Sequence, residues 1–396
     1  MFHFTALPPL ALYIHFPWCV RKCPYCDFNS HALRGDIPED QYIDALLADL
    51  ESDLPRVWGR PVRSIFLGGG TPSLFSPEAI ERLLAGVRAR LAVHPEAETT
   101  LEANPGTVET ERFRGYRAAG VNRLSIGIQS FQPEQLEKLG RIHGRDEALA
   151  AAQAARAAGF DNFNLDLMFG LPQQTLDEAL ADLRTALALQ PAHLSVYQLT
   201  LEPNTLFHAQ PPALPDEDAI AVMQDALQAE LANAGFAQYE VSAYARAGRG
   251  CRHNLNYWQF GDYLGLGAGA HAKITDADGI TRLWKVKQPR DFLAKAGTPA
   301  VRGGEQRLGA DDVAFEFMLN ALRLTTGFPP SLFAERSGLP LTMIEPALAR
   351  AVARGLIQHT DDGILATPLG RRFLNDLISL FLPESSSNSA TNRHNP

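Results

Sequence analysis

Cysteine is scarce in this chain of 396 residues: there are four, too few and too unevenly placed for a disulfide framework. Three of them, Cys19, Cys23 and Cys26, fall within eight residues, and the fourth, Cys251, is far away. Long apolar runs are also missing. No stretch approaches the ~20 apolar residues that span a bilayer. Met1 to Pro9 holds no basic segment leading into an apolar one, so neither a transmembrane anchor nor a signal peptide is expected. Positive charge is in deficit, with a formal net charge of -9, which argues against general affinity for nucleic acid or an anionic membrane. Together these absences point to the reducing cytoplasm. The balance of 45% hydrophobic and 20% charged residues is that of a globular chain with room for a large core or two domains.

What is present begins with the cysteines. Thiolate is a soft donor, and a short Cys-x3-Cys-x2-Cys loop can wrap its sulfurs around one centre, as iron-sulfur and zinc spacings do. The spacing leaves three readings open: an iron-sulfur cluster with one iron free, a zinc site completed by Cys251 or a histidine, and ordinary buried thiols.

Downstream, strand-like runs alternate with amphipathic helical segments. Strands are expected at Leu12 to Phe16, Ser64 to Leu67, Thr99 to Ala103, Arg123 to Ile128, Phe163 to Met168 and His193 to Leu199. Helices are expected at Glu39 to Leu54, Pro77 to Arg90, Thr110 to Ala119, Arg145 to Ala158 and Thr175 to Gln190. Ser76 can cap the second helix, and Gly120 and Gly159 can stop the third and fourth. Such alternation implies parallel strands joined by right-handed crossovers, in an α/β barrel, complete or partial, or an open doubly wound sheet. In either, ligands gather at the C-terminal ends of the strands.

The segments at those ends are polar or glycine-rich. Gly68-Gly69-Gly70-Thr71-Pro72 can let backbone approach a ligand and offer free N–H groups, or can be a tight turn. Glu102 and Asp166 can bind an ammonium or ribose hydroxyls, or serve as rim charges and caps. Tyr13 and His15 share one side of the first strand, where they face the site or form a half-buried core pair.

Beyond a helix at Asp216 to Asn233, residues 241–304 read as a connector carrying Cys251 and His253-Asn254-Leu255-Asn256-Tyr257-Trp258, then a glycine-rich stretch to His271. Residues 305–382 give helices, a strand pair around Asp361-Asp362-Gly363 and a last helix after Thr367, the order of a winged helix. Residues 305–376 hold seven arginines, no lysine and nine acids, so a phosphate-binding footprint is missing and a packing or partner role is expected. Residues 383–396, rich in serine and asparagine, are expected to be disordered.

Taken together, Tyr-x-His-x-Pro-x-Cys-x3-Cys-x2-Cys, Gly-Gly-Gly-Thr-Pro, Glu-x-Asn-Pro, Gly-x-Gln-Ser and Asp-Leu-Met-x-Gly-Leu-Pro resemble the radical S-adenosylmethionine (SAM) superfamily. Within it the likeness is to the branch of oxygen-independent coproporphyrinogen III oxidases and haem chaperones, over residues 10 to 380. The resemblance implies a partial (β/α)6 TIM-type barrel over residues 1–240 with a C-terminal winged-helix-like α+β domain. It also implies that Cys19, Cys23 and Cys26 hold a [4Fe-4S] cluster chelated by SAM. By the same resemblance Tyr13, Gly69 and Glu102 contact SAM, and Gly70, Thr71, Gln129, Arg141 and Asp166 make further contacts, some to a second SAM.

Two departures separate oxidase from chaperone. The oxidases carry a fourth cysteine two residues past the third and a longer segment before the cluster; here that position is Phe28, and eighteen residues precede Cys19. His253-Asn254-x-x-Tyr257-Trp258 matches the chaperone group, and its residue types suit haem, with His253 as a candidate iron ligand beside Tyr257. Cys251 is a rival ligand or a buried thiol, and the whole segment can instead be a linker whose aromatics pack on the barrel. The expected function is a cytoplasmic haem chaperone, peripheral at the inner membrane, that passes haem to acceptor haemoproteins such as respiratory enzymes. The alternative is a coproporphyrinogen III oxidase.

Overall fold

The computed structural model describes residues 2–106, 109–361 and 363–383. Six strands lie side by side in chain order: β1 (Leu10–Phe16), β2 (Val62–Gly69), β3 (Val93–Ala103), β4 (Arg123–Gln129), β5 (Phe163–Phe169) and β6 (His193–Gln198). Every neighbouring pair is parallel. β1 and β4 are buried along nearly their whole length, which is why they read as continuous apolar runs rather than alternating ones.

The crossovers are α1 (Glu39–Val57), α2 (Pro77–Arg90), α3 (Glu109–Ala119), α4 (Arg145–Ala157) and α5 (Leu176–Ala188), with α6 (Glu217–Asn233) after β6. Their apolar faces cover the sheet: α1 buries Tyr42, Ile43, Leu46, Leu50 and Val57 at helical spacing. The expected punctuation is in place. Ser76 Oγ accepts the Ala79 N–H at 3.3 Å, and Gly120 and Gly159 adopt φ of +104° and +85° after their helices. The fold is the expected α/β architecture, a (β/α)6 run within a larger mixed sheet.

The region expected as a connector differs. Residues 241–304 contribute to the same sheet, whose full order is β12-β11-β10-β9-β1-β2-β3-β4-β5-β6-β8-β7. Here β7 is Ala237–Gln238, β8 Ala243–Ala245, β9 Asp262–Leu266, β10 His271–Asp276, β11 Gly279–Lys285 and β12 Arg302–Arg307. β9 pairs in parallel with the free edge of β1, and β10 to β12 follow antiparallel. Two features hid these strands. Gly265 reads as a loop residue, yet a Cβ there would lie 1.9 Å from the His271 carbonyl oxygen, so glycine is what lets β9 and β10 meet. The second is charge inside the strands. Lys273 bonds Asp262 at 2.9 Å and Lys285 bonds Asp49 of α1 at 2.6 Å, all four residues buried.

The C-terminal unit has its own core. Helices α8 (Ala310–Ala321), α9 (Pro330–Ser337) and α10 (Glu345–Ala353) precede the hairpin β13 (Ile357–Thr360) and β14 (Gly363–Ala366), in the helix-then-wing order expected. Phe317 packs edge-on to Phe328 and Phe333, with centroids 5.1 and 5.0 Å away. Asp362 of the expected turn and residues 384–396 of the expected tail lie outside the described residues. Among those described, no helix is long and apolar enough to cross a membrane.

Candidate metal and ligand site

The end of β1 is held firmly before the cysteines begin. Phe16, Trp18, Tyr42 and Phe75 form an aromatic cluster, with Phe16–Phe75 and Trp18–Tyr42 centroids at 4.7 and 4.8 Å, and Tyr42 Oη donates to the His15 carbonyl at 2.7 Å. Burying rings of this size stabilises the fold by roughly 2–3 kcal/mol each. The cysteine loop then closes on its own backbone. Trp18–Cys19 pairs with His31–Ala32, and the Leu33 N–H donates to the Cys19 carbonyl at 2.8 Å.

All three cysteines reach the wall of one cavity of about 270 Å³ at the C-terminal ends of the strands. Each sulfur has a polar neighbour. Thr71 Oγ1 stands 3.4 Å from Cys19 Sγ, Ser30 Oγ 3.6 Å from Cys26 Sγ, and Arg141 Nη1 3.8 Å from Cys23 Sγ. Burial raises the Cys19 and Cys26 pKa values, opposed by the hydrogen bonds from Thr71 and Ser30, so binding a metal here must release protons.

Among the described residues no three His, Cys, Asp or Glu side chains converge on a single ion. The three loop thiols share one cavity wall. Cys251 plays no part in it: the thiol is fully buried, donates to Glu98 Oε1 at 3.5 Å and is pushed up to about 12 by burial. Glu98 precedes the rim residue Glu102 by four positions on β3, about 13 Å of extended strand.

The opposite wall is built from strand ends. Gly69, Gly70, Thr71, Glu102, Gln129, Arg141 and Asp166 all line the same cavity as the cysteines. Gly69 has φ +109°, and a Cβ there would sit 2.4 Å from the His15 ring, so only glycine allows this approach. The expectation of free N–H groups in the glycine turn is corrected by the hydrogen bonds: Gly69 donates to Glu102 Oε2 at 3.0 Å and Gly70 to the Phe16 carbonyl at 2.7 Å. The turn shapes the wall and orients Glu102 rather than offering donors.

Glu102 and Asp166 line the same cavity, with the Arg123 guanidinium as counter-charge to both. Burial and Asp166 push Glu102 up to about 8, against the Gly69 N–H and the Arg123 guanidinium. Burial also raises Asp166, opposed by hydrogen bonds such as those from Asn164 at 2.7 Å and Ser125 at 3.2 Å. An acid pair that resists ionisation while no ligand faces it is a place for a cationic ligand. Gln129 adopts φ +69°, a strained conformation for a side-chain-bearing residue, and its Oε1 accepts from Tyr197 Oη at 2.7 Å.

Three residues of this wall were not singled out from the sequence. Asn104 donates to Thr71 Oγ1 at 2.9 Å and accepts from Arg141 at 2.6 Å, linking the supports of two cysteines. Tyr197 and Tyr25 close the cavity. Asn104 and Tyr197 stand at strand ends, the signal that picked out Glu102 and Asp166.

The other candidates lie elsewhere. Tyr13 hydrogen-bonds His15 Nδ1 at 2.9 Å, as their shared side implied, but lines a separate cavity with Tyr257. His253 lies in the short helix α7 (Arg252–Trp258) and is 1% exposed. Both its ring nitrogens are engaged, Nδ1 with Ser64 Oγ and Nε2 with Tyr257 Oη, each at 3.1 Å. Burial drops its pKa to about 3, and it has no nitrogen open to haem iron in this arrangement. Of the motif's aromatics, Tyr257 lines that second cavity and Trp258 lies under the Arg323 guanidinium.

A cysteine loop after the first strand of a parallel (β/α)6 sheet, facing a rim of glycine, acid and amide groups, defines a radical SAM protein. The family model for the Radical SAM superfamily matches residues 13–186, and that for the HemN C-terminal domain matches residues 308–373. Heme chaperone HemW of Escherichia coli K12 is 53% identical over 379 residues, covering 96% of this chain and 99% of that one. Heme chaperone HemW of Bacillus subtilis is 35% identical over 380 residues, covering 94% and 99%. Among solved structures, the radical SAM enzyme coproporphyrinogen III oxidase (HemN) from Escherichia coli matches with a TM-score of 0.79 at 26% identity, over 95% of this chain and 90% of that one. The chain belongs to the HemW family. Membership in the radical SAM superfamily implies SAM and a [4Fe-4S] cluster as cofactors.

Proposed function

We propose that this protein is a haem chaperone that binds haem and passes it to acceptor haemoproteins, among them respiratory enzymes at the membrane. In this reading Cys19, Cys23 and Cys26 hold the [4Fe-4S] cluster and the strand-end wall holds SAM. The observation that carries it is the 53% identity, over nearly the whole of both chains, to a relative named as a heme chaperone, against 26% to the oxidase. Phe28 supports it: where the resemblance gives oxidases a further cysteine, this chain has an exposed apolar ring at the mouth of the cavity.

Bound at these thiolates, a cluster with one open iron can chelate SAM and pass an electron to its sulfonium. The chain's own residues supply the rest. Glu102 and Asp166 offer negative charge to the SAM ammonium, while Thr71, Ser30 and Arg141 place donors against the sulfurs. Asn104 fixes Thr71 and Arg141 relative to each other.

The structural likeness to HemN keeps one other reading in play, the coproporphyrinogen III oxidase. Two assays on the same anaerobically reconstituted protein decide between them. Haem titration is expected to give a one-to-one Soret change, and incubation with SAM and coproporphyrinogen III is expected to leave the porphyrinogen unchanged. Steady formation of protoporphyrinogen IX would reverse the assignment.

A further inference from the structure

Asn104, the residue after β3, bonds to none of the loop thiols among the described residues, yet it stands between two groups that do. Its amide joins the Thr71 hydroxyl, beside Cys19, to the Arg141 guanidinium, beside Cys23, at 2.9 and 2.6 Å. The directions of these bonds are forced. A guanidinium only donates, so the amide oxygen of Asn104 must face Arg141 and its nitrogen must face Thr71. Thr71 Oγ1 then accepts from Asn104, and its single hydrogen is left for Cys19 Sγ, 3.4 Å away. The result is a relay of donors that runs one way, from cation to amide to hydroxyl to thiol.

Each link is held by more than the relay itself. Arg141 Nη2 also donates to the Gly127 carbonyl at 2.6 Å, so the guanidinium keeps an anchor without Asn104. A Cβ at Gly127 would lie 3.0 Å from Asn104 Oδ1 and 3.5 Å from Arg141 Nη2, so glycine on β4 leaves the room in which they meet. The Thr71 N–H donates to the Trp18 carbonyl at 2.8 Å, which ties the hydroxyl to the residue before Cys19. Thr71 is buried, and its hydroxyl is shielded from competing water.

The cation at the head of the relay is not neutralised by an acid. Among the described residues the hydrogen bonds of Arg141 go to Cys23 Sγ, Asn104 Oδ1 and the Gly127 carbonyl, none of them a carboxylate. One guanidinium therefore bears on two sulfurs, on Cys23 directly at 3.8 Å and on Cys19 through Asn104 and Thr71. Cys26 lies outside the relay, with Ser30 Oγ 3.6 Å from its sulfur. In a low-dielectric interior the bonds of such a relay polarise one another. A donor on a cluster-bound sulfur favours the more negative, reduced state and so raises the reduction potential.

Resting on the reading of Cys19, Cys23 and Cys26 as ligands of a [4Fe-4S] cluster, we propose that Asn104 is a positioning residue for the cluster's reduction potential. It turns the Thr71 hydroxyl onto the Cys19 sulfur and couples that bond to the charge of Arg141. The step it governs is the uptake of one electron by the oxidised cluster from an external one-electron donor, with no bond broken and no proton moved. Asn104 raises the potential of that step without bonding to a thiolate.

The test is a mediated redox titration with dithionite of the anaerobically reconstituted, full-length protein, free of SAM, followed by the electron paramagnetic resonance signal of the reduced cluster. A potential is read on the loaded fraction alone, so partial loss of cluster does not blur it. Thr71→Val, which keeps the shape and loses the hydroxyl, is expected to shift the equilibrium about tenfold toward the oxidised form, about 59 mV for one electron. Thr71→Ser is expected to stay near the wild type. Asn104→Leu is expected to lower the potential by part of the valine shift. The double variant Thr71→Val/Asn104→Leu should fall no further than Thr71→Val alone, because the amide acts through the hydroxyl. Should Asn104→Leu hold no cluster, Asn104→Ala, which removes the amide without adding bulk, takes its place in the cycle. An unchanged potential in either single variant, a serine variant as low as the valine one, or shifts that add in the double variant would overturn the relay while leaving the cluster ligands intact. Wild-type protein that assembles no cluster would overturn both.

Discussion

Glu102 sits in a wall that disfavours its charged form, and this has a measurable consequence. Its folded pKa of about 8 lies above the ordinary 4.5, so the folded chain holds this proton more tightly than the unfolded chain does. The stability linked to it is fully present below the unfolded value and is lost as pH rises through the folded one. Ligand-free protein is therefore expected to lose unfolding free energy between about pH 5 and about pH 8, and Glu102→Gln is expected to flatten that slope. Denaturant titrations across this window check it, and parallel curves for both proteins would remove Glu102 as the source. At the cysteines the expectation is simpler. Cys23→Ala removes one of three thiolates and should abolish the broad iron-sulfur absorbance after anaerobic reconstitution, and full retention would refute the ligand set. Both groups were legible from residue type and position after a strand. The state of His253 was not: its imidazole type suits haem, but only the packing of α7 reveals that Ser64 and Tyr257 occupy both its nitrogens.

Among the elements, β1 to β6 and their helices announced themselves because each buries an apolar face with a regular period, and their ends carry caps and glycines. β9 to β12 did not, because the groups that anchor them are charged. Asp262 is fully buried and accepts from Lys273, Arg60 at 2.8 Å and Thr275 Oγ1 at 2.7 Å, binding β9, β10 and the loop after α1 to one carboxylate. A periodicity of apolar residues cannot reveal such a node, since its members look like surface residues until their partners arrive from distant strands. Removing it strands a buried lysine. Asp262→Ala is expected to cost about 3–5 kcal/mol, the usual penalty for breaking a buried pair. Asp276→Ala, whose partner Arg307 is exposed, should cost under about 1 kcal/mol. Urea midpoints with unchanged m-values would establish the contrast, and equal losses at both positions would contradict it.

At the scale of the whole molecule, the segment from His253 to Phe260 is the joint between the sheet and the C-terminal unit. Trp258 lies under the Arg323 guanidinium at 4.3 Å, Arg323 pairs with Glu240 at 3.1 Å, and Phe260 packs edge-on against Phe317 of the C-terminal core at 5.7 Å. Glu240 is 4% exposed, and the Arg323 guanidinium is its cation. Arg323→Ala would leave a buried carboxylate without its cation and uncover the face of Trp258. Because Arg323 itself is partly exposed, the expected loss is about 2–4 kcal/mol, below that of a fully enclosed pair. The weakened joint should also let the C-terminal unit unfold before the sheet, so that calorimetry resolves two transitions where the wild type gives one. Arg323 lines neither the thiol cavity nor the one shared by Tyr13 and Tyr257. Iron-sulfur absorbance should therefore survive at temperatures below the first transition. If Arg323→Ala instead removed haem binding while the fold stayed intact, the Tyr-Trp motif would belong to the haem site directly, and its role as a joint would be secondary.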